Sequence, residues 1–368
     1  MAHKRLKLTA LSPIHIGSGE VYEPTNFVID ANLLYEFRDE DFFMALTPIE
    51  KQKFMKIIED NASDSFVGIH KFVKEHKEVA KSVAHIKVVV SDGLQKEYNK
   101  AVGKIRQFEG KQGNYSRVFN KFEIQRVQRK QIKTKDGYAN IGYIAGSSLK
   151  GAISTAYQEY IYKEKGEKIL KEKFQSVGRE INKNIFKEFK VSDSITTKIG
   201  TTIGFALNKE RFEYDFNNPQ NNLKLSTYIE VINTNSEFIV DINYGSLDIK
   251  EILESCNAHY MPLFKSLLLN ETDDKEEFVN EYLTNDFYDT YRHFQLKENQ
   301  YLIRVGKHSG ARAVTIEGMR KIKSLISSKP YRTEIREDET TTWLFGDNPS
   351  SNSGLLPFGW VLCEIEKT

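Results

Sequence analysis

The alternation of apolar and polar positions in the first half of the chain predicts mostly strands. A period of two residues predicts strands over residues 6–16, 27–30, 33–35, 85–90 and 119–131. Gly17-Ser18-Gly19 is expected to end the first strand, and the second and third strands are expected to form a hairpin. Helical periodicity covers residues 41–59, with an interruption at Pro48, and residues 149–165.

The second half of the chain shows the same mixture. Helices are predicted over residues 168–190, 247–269 and 275–291, and strands over residues 225–232, 238–244, 301–305, 341–345 and 360–365. The strands at 225–232 and 238–244 flank Asn233-Thr234-Asn235-Ser236, which predicts a hairpin. We therefore expect an α+β fold with two related lobes, divided near residue 200. Residues 1–200 would form an N-terminal lobe with a basic ribbon, and residues 201–368 a C-terminal lobe with a glycine-rich loop.

Charge is concentrated in two segments, although the net charge is only +2. Residues 100–135 contain eleven Lys or Arg and two acidic residues, a local charge of +9. Residues 271–290 contain eight acidic residues and one lysine, a local charge of −7. Such blocks indicate two different partner surfaces or two solvated faces. We favour a function for the basic block, because its arginines alternate with aromatic and apolar residues.

The cysteine content and the hydropathy of the chain predict the cellular compartment of the protein. Cys256 and Cys363 are the only two cysteines of the 368 residues, so neither a disulfide framework nor a zinc site is expected. This fits a reducing cytoplasm. The N-terminal apolar run is broken by Thr9, Ser12 and Pro13, which is typical of a strand and not of a signal peptide. No stretch is long and apolar enough to predict a membrane span.

A small-residue turn at residues 145–152 is expected to open a helix. Free N–H groups at a helix start bind anions, and the segment adds hydroxyls, a cation and glycines that allow close approach. The residues concerned are Gly146, Ser147, Ser148, Lys150 and Gly151. The alternative is an ordinary serine-capped helix with glycine for packing. The lysine spacing excludes a Walker P-loop, so an NTPase is not expected.

A second glycine-rich segment follows the strand predicted at residues 301–305. It groups cations, a histidine and a serine on a loop, which favours contact with phosphate over a plain structural turn. The residues concerned are Arg304, Gly306, Lys307, His308, Ser309, Gly310 and Arg312.

A third segment lies at the end of the first predicted strand. His15 is a candidate RNA contact or general base, although a lone histidine in a strand is more often a packing residue. Gly17, Ser18 and Gly19 either line an RNA path or turn the chain.

Residues 126–135 are expected to form a β-ribbon with a cationic face. Arg126, Arg129, Lys130 and Lys133 would neutralise phosphates and make binding sensitive to salt. A solvated edge strand is the equal alternative, since edge strands often carry lysine.

We find no pattern that indicates catalysis. Glu20, Glu23 and Asp30 lie near the first glycine segment without metal-ligand spacing, and neither a Cys/His nor a Ser/His/Asp arrangement is present. We therefore expect no catalytic residue, no metal and no cofactor.

Taken in order, these segments resemble the RAMP superfamily of CRISPR effector subunits. The landmarks are residues 11–19, 144–152 and 304–310, followed by Trp343-Leu344-Phe345 and Pro357-Phe358-Gly359-Trp360. The middle landmark is common to many members. The landmark at residues 304–310 and the tail from Trp343 to Trp360 are more similar to the subunits that cap the 3′ end of the guide RNA in type III-A (Csm) complexes.

The resemblance implies two ferredoxin-like (RRM-like) lobes with helical insertions and a role in antiviral defence. It implies as partners the crRNA, the backbone and small helical subunits of the Csm complex, host ribonucleases for crRNA maturation, and target RNA only indirectly. The backbone subunit of such complexes cuts RNA with an Asp shortly after its first glycine loop. Residues 19–26 contain no Asp here, which supports a non-catalytic subunit.

Two other functions stay open at this point. One is a metal-independent endoribonuclease that processes repeat RNA, with His15 or His308 as acid or base and Lys307 stabilising the charged transition state. The other is a protein adaptor that uses the acidic residues 271–289.

Overall fold

The structure is a computed structural model of the chain. It describes residues 2–59, 65–104, 108–112, 115–119, 122–134, 137–174, 184–211, 225–269, 271–272, 275–276, 279–328 and 331–366.

Strands make up most of the described elements. In chain order they are β1 His3–Ala10, β2 Gly17–Tyr22, β3 Phe27–Asp30, β4 Leu33–Glu36, β5 Ile86–Val90, β6 Phe108–Gln112, β7 Tyr115–Phe119, β8 Ile124–Val127, β9 Arg129–Thr134, β10 Gly137–Gly142, β11 Lys190–Val191, β12 Ile195–Lys198, β13 Thr201–Glu210, β14 Ser226–Ile232, β15 Glu237–Asn243, β16 Glu271–Thr272, β17 Lys275–Glu276, β18 Gln300–Arg304, β19 Ile322–Ser328, β20 Tyr331–Arg336, β21 Thr341–Gly346, β22 Leu356–Pro357 and β23 Trp360–Ile365.

Helices lie between these strands. They are α1 Asp39–Ala45, α2 Pro48–Glu59, α3 Ser65–Glu75, α4 Lys77–Ser82, α5 Asp92–Ala101, α6 Gly146–Phe174, α7 Ile249–Leu268, α8 Val279–Tyr282 and α9 Asn285–Tyr291. Helix α6 is interrupted at Gly166, whose φ of 80° is not helical. The predicted break at Pro48 is confirmed, because α2 begins at that residue. No helix of the described residues is long and apolar enough to cross a membrane.

One sheet of six strands is antiparallel throughout. Its order is β11-β15-β1-β23-β18, with β12 also paired to β15. Alternate residues of β1 and β15 are buried, so one face of the sheet contributes to the main core. Helices α6 and α7 pack against each other and against strands of this sheet.

The other large sheet has nine strands and is mixed. Its order is β2-β8-β14-β13-β5-β4-β3, with β21 beside β5 on the same edge of β13 and β22 beyond β21. Strand β8 is parallel to β14, and β5 is parallel to β13. The fold class is therefore a mixed α+β fold, as predicted.

The hairpin predicted at residues 225–244 is wrong. Strand β14 belongs to the nine-stranded sheet and β15 to the six-stranded sheet, so the intervening turn carries the chain from one to the other. Alternation predicted both strands because it reports which face is buried. It does not report which strand is the partner.

Several other expectations differ from the structure. Gly17 begins β2 where a turn was expected. Residues 175–183 of the helix predicted at 168–190 lie outside the described residues. Each large sheet takes strands from both sides of residue 200, so the predicted boundary does not separate the sheets.

Candidate nucleic-acid interface

Two of the glycine-rich segments predicted from the sequence lie side by side. The Lys307 N–H donates to the His15 carbonyl at 2.9 Å, and the Gly359 N–H donates to the Pro13 carbonyl at 2.8 Å. A β-carbon on Gly306 would lie 2.5 Å from the His15 oxygen, so this approach requires glycine. Residues almost three hundred positions apart in the chain therefore form one surface.

The His15 side chain lies beneath this surface. Its side chain is buried, and Nδ1 lies 2.6 Å from the Glu230 carbonyl oxygen. Burial lowers the pKa of His15 to about 4, so the ring is neutral at pH 7. Gly17, Ser18 and Gly19 are exposed beside it, and Gly19 has a φ of 84°.

The ribbon of β9 and β10 adjoins the first segment, because the Gln128 N–H donates to the Ile16 carbonyl at 2.6 Å. Both terminal nitrogens of Arg126 donate hydrogen bonds to the Glu36 carboxylate, at 2.8 and 3.2 Å. Its guanidinium also lies 4.4 Å from the centre of the Tyr22 ring. The charge of Arg126 is thus balanced within the protein and is not directed at solvent.

Arg129 and Lys130 are also held internally. Arg129 pairs with the buried Glu230 carboxylate and donates to the Asn140 carbonyl at 2.7 Å. Lys130 donates to the Ser194 carbonyl and lies 5.2 Å from the Tyr143 ring centre. Lys133 is the predicted ribbon cation whose side chain is exposed.

The segment at residues 145–152 does begin a helix, α6. Its first N–H is already occupied, since Gly146 donates to the Asp193 carboxylate at 2.8 Å. A β-carbon on Gly146 would lie 2.3 Å from the Val191 carbonyl oxygen, so here glycine serves close packing. Close packing does not require glycine at position 151, because a β-carbon on Gly151 would meet nothing within 4 Å.

The remaining side chains of this segment face outward to different degrees. Ser147 is exposed, while Ser148 and Lys150 are half-buried. Burial, with a further contribution from Lys190, lowers the pKa of Lys150. The Lys130 contact to Ser194 and the hydrogen bonds between Ile144 and Ser194 connect this segment to the ribbon.

The segment at residues 304–312 divides into buried and exposed parts. Arg304 is buried, donates to the Phe358 carbonyl at 2.9 Å and stacks on Trp360. Burial lowers its pKa to about 10. Ser309 is buried and donates to the Gly306 carbonyl at 2.7 Å. Both side chains stabilise the loop and do not reach its surface.

Lys307, His308 and Arg312 lie nearer the surface. Lys307 is exposed, and its Nζ donates to the Gln125 side chain at 2.7 Å. Burial, followed by the charge of Lys307, lowers the pKa of His308 to about 3. Arg312 Nε lies 3.9 Å from Asp338 Oδ1. Gly310, with a φ of 83°, lets the Ala311 N–H donate to Glu339 at 2.6 Å.

Four buried or structural acids of the site were missed by sequence reasoning. They are Glu36, Asp193, Glu230 and Glu339. Glu230 is fully buried and accepts from the Tyr22 hydroxyl and the Val127 N–H, both at 3.1 Å. Its signal was an isolated acid inside the apolar strand β14, a place where charge is retained only with partners.

An open cleft of about 440 Å³ lies where residues of the first segment and of the ribbon come together. Its lining is mainly polar and includes Ser18, Glu20, Arg38, His85 and Arg129. Among the described residues, no group of three or more His, Cys, Asp or Glu side chains could hold a metal ion. The surface offers hydroxyls, backbone and lysines, which are groups that bind phosphate.

The family model of the RAMP superfamily matches residues 7–356, so the chain belongs to that superfamily. It is 24% identical over 316 residues to the CRISPR system Cms protein Csm5 of Methanocaldococcus jannaschii. That match covers 80% of this chain and 63% of the relative, so the chain spans less than two thirds of the relative's length.

Two solved structures are similar to this fold. A chain of the cryo-EM structure of a Csm–crRNA–target RNA ternary complex from a type III-A CRISPR–Cas system gives a TM-score of 0.53 at 16% identity, covering 99% of this chain and 100% of that one. The crystal structure of Csm5 from T. onnurineus gives 0.49 at 15% identity, covering 96% and 99%.

Proposed function

We propose that the chain is a Csm5-like, non-catalytic subunit of a type III-A CRISPR Csm complex. It binds the crRNA, caps its 3′ end beside the backbone and small helical subunits, and supports crRNA maturation and antiviral defence. The observation that carries the proposal is the convergence of the glycine-rich segments on one surface through the His15–Lys307 contact and the ribbon. Superfamily membership and the similarity to Csm5 support it.

The exposed residues of this surface are those that a sugar-phosphate backbone needs. They are Gly17, Ser18, Gly19, Lys133, Ser147, Gly151 and Lys307, with the half-buried Ser148 and Lys150 beside them. Serine hydroxyls donate to phosphate oxygens, and lysines supply charge without fixing sequence. We assign the buried His15, Arg304 and Ser309 to holding the loops in place.

Strand order supports the proposed ferredoxin-like lobes for one sheet. Elements β1, α6, β11, β15, α7 and β23 occur in the chain order β-α-β-β-α-β, with other elements inserted between them. Their strands lie in the order β11-β15-β1-β23. This order supports the proposal of one ferredoxin-like unit, with β18 at the edge of the sheet.

The pKa values of the two histidines considered for catalysis, His15 and His308, support the non-catalytic role. Burial lowers the pKa of His15 to about 4 and, with Lys307, the pKa of His308 to about 3. General acid–base catalysis works best when the pKa lies near the operating pH, and both values are far below 7.

Charge removal at the surface tests RNA binding. A variant with Lys133→Ala, Lys150→Ala and Lys307→Ala should bind single-stranded repeat RNA more weakly. Its plot of log affinity against log salt should be shallower by about 2, because each phosphate contact contributes about 0.7 for single strands. Fluorescence anisotropy over a series of salt concentrations measures both quantities.

A matched control removes the same charge elsewhere. Lys53, Lys56 and Lys96 are exposed on helices α2 and α5, and their replacement by Ala should leave the slope unchanged. Equal slopes for the two triple variants would show that the surface does not bind RNA. Incubation of the purified chain with repeat RNA tests catalysis: discrete cleavage that disappears in His15→Ala or His308→Ala would establish an endoribonuclease instead.

The remaining proposed partners need separate tests. Recruitment of host ribonucleases is proposed from family resemblance alone. The acidic residues 271–289, considered for a protein adaptor, lie partly outside the described residues.

A further inference from the structure

Helix α7 contacts the chain just before the loop at residues 305–312. Asn257 of α7 lies against β18, the strand at the edge of the six-stranded sheet that leads into this loop. Its side chain accepts from the Leu302 N–H at 2.8 Å and donates to the Gln300 carbonyl at 3.1 Å. Backbone groups at a sheet edge have no neighbouring strand to bond to, and here a side chain takes that place. The start of the loop is therefore fixed by α7.

The same helix holds the chain where the loop ends. His259 Nε2 lies 3.3 Å from the Ala313 carbonyl oxygen, and the Tyr260 hydroxyl lies 3.4 Å from the same oxygen. The Tyr260 hydroxyl also donates to the Ala152 carbonyl of α6 at 3.0 Å. Ala152 directly follows Gly151, one of the glycines of the segment that begins α6. Tyr260 therefore links the end of the loop to a second segment of the proposed RNA-binding surface.

An acid of α6 extends this link past the loop. Glu159 Oε2 accepts from the Glu317 N–H at 2.8 Å, and its Oε1 lies 3.1 Å from His259 Nδ1. The side chains of Glu159 and His259 are only 7% and 3% exposed, and Tyr260 is fully buried. Side chains enclosed to this degree do not reach an RNA strand. What they determine is the position of the backbone at residues 313–317.

The loop between these contacts has no strand or helix of its own to fix its shape. Strand β18 ends at Arg304, and a 3₁₀ turn begins at Arg312. The exposed Lys307 lies between them, and its N–H bond to the His15 carbonyl joins the loop to the first glycine-rich segment. Helix α7 joins the loop to α6 instead. Groups held in place before binding give higher affinity, because they do not have to be ordered during binding.

We infer that Asn257, His259 and Tyr260 are positioning residues for RNA binding. They hold Lys307 at a fixed place relative to the start of α6, so that one RNA backbone meets both segments without a rearrangement of the loop. They act through the backbone on either side of the loop and do not contact RNA themselves. The inference rests on the proposed RNA binding and adds a role for the helix behind the surface.

A variant without the contacts at the end of the loop tests the inference. His259→Leu with Tyr260→Phe removes both contacts to the Ala313 carbonyl and keeps apolar side chains in the core. Lys307 should then lose its phosphate, and the plot of log affinity for single-stranded RNA against log salt should be shallower by about 0.7. Lys307→Ala should weaken binding in the otherwise unchanged chain and should cause no further loss in this double variant. Fluorescence anisotropy with the full-length chain measures both.

Further variants separate positioning from a general loss of structure. Lys133→Ala, on the ribbon, should weaken binding by the same factor with and without the double variant. Tyr98→Phe changes another buried tyrosine of the main core, in α5, and should alter neither the slope nor the effect of Lys307→Ala. His259→Gln keeps a side-chain N–H donor and should bind RNA as the unchanged chain does. Tyr260→Phe alone should reduce the effect of Lys307→Ala in part, and it provides the test if the double variant does not fold.

The outcomes distinguish this inference from the proposed function. Equal losses from Lys307→Ala in the unchanged chain and in the variants of α7 would overturn the inference and leave the proposed function intact. The same conclusion follows if the double variant reduces the effect of Lys133→Ala as much as that of Lys307→Ala, since that pattern shows a general loss of structure. No RNA binding by the unchanged chain would overturn both.

Discussion

Glycines of the interface differ in whether a side chain could be accommodated. At Gly306 the φ is 93° and a β-carbon would press on the His15 backbone. At Gly151, inside helix α6, a β-carbon would meet open space. The same residue type is therefore required by the packed loop at one position and replaceable at the other.

Alanine at these two positions should change stability in opposite directions. Gly306→Ala should lower the free energy of unfolding by about 1–3 kcal/mol, through the strained φ and the clash. Gly151→Ala should raise it by up to about 1 kcal/mol, because alanine favours a helix. Urea unfolding measures both. An unchanged midpoint for Gly306→Ala would mean that the loop does not need this close contact.

At the scale of elements, Glu230 joins parts of the interface that are distant in sequence. Its side chain in β14 accepts from β2 and β8 and pairs with Arg129 at the start of β9. Its carbonyl lies against His15. A buried ion pair of this type contributes position more clearly than stability, but removing one partner leaves a buried charge uncompensated.

Glu230→Gln should therefore destabilise the chain by about 3 kcal/mol or more. Amide hydrogens of β9 and β10 should exchange faster, because the ribbon loses its charged anchor. Glu237→Gln is the matched control, since Glu237 pairs with Lys7 at 3.3 Å on the partly exposed surface of β15, where ion pairs contribute less than about 1 kcal/mol. Equal losses in the two variants would refute an anchoring role for Glu230.

At the scale of the whole molecule, buried histidines link stability to pH. Burial lowers the pKa of His15 and His70 to about 4 and, with Lys307, that of His308 to about 3. In the unfolded chain each titrates near about 6.5. Between these values the unfolded state binds more protons than the folded state, so stability is greatest above pH 6.5 and falls toward pH 4.

The expected decline is roughly 1.4 kcal/mol per pH unit for each histidine. Urea unfolding at pH 7 and pH 5 measures it. His70 lies in helix α3, away from the interface. His70→Leu should remove the contribution of one histidine to this decline in stability, roughly 1.4 kcal/mol per pH unit. Identical midpoints at the two pH values would show that these histidines titrate normally in the folded chain.

Glu159 contributes to the pH dependence of stability over a lower pH range than these histidines do. Burial alone would raise its pKa, but hydrogen bonds from His259 and others lower it to about 2. His259 Nδ1 lies 3.1 Å from Glu159 Oε1 and joins α7 to α6. This contribution is present above about pH 4.5 and is lost as the pH falls toward 2.

The sequence alone determined the elements that local patterns control. These elements depend on periodicity and on residues with special backbone properties, which act over a few positions. They are the broken helix at Pro48, helix α7, the hairpin of β3 and β4, and the helix start at Gly146. The order of the glycine-rich segments was sufficient to predict the superfamily, and the match over residues 7–356 confirmed that prediction.

Tertiary structure decided which residues meet and which charges reach solvent. Alternation could not show that β14 and β15 join different sheets, because partner choice depends on contacts between distant residues. Composition could not show that Arg126, Arg129 and Arg304 are held internally while Lys133 and Lys307 are exposed. A charge is buried only where the fold supplies a partner, and those partners, Glu36, Glu230 and the Phe358 carbonyl, come from other strands or loops.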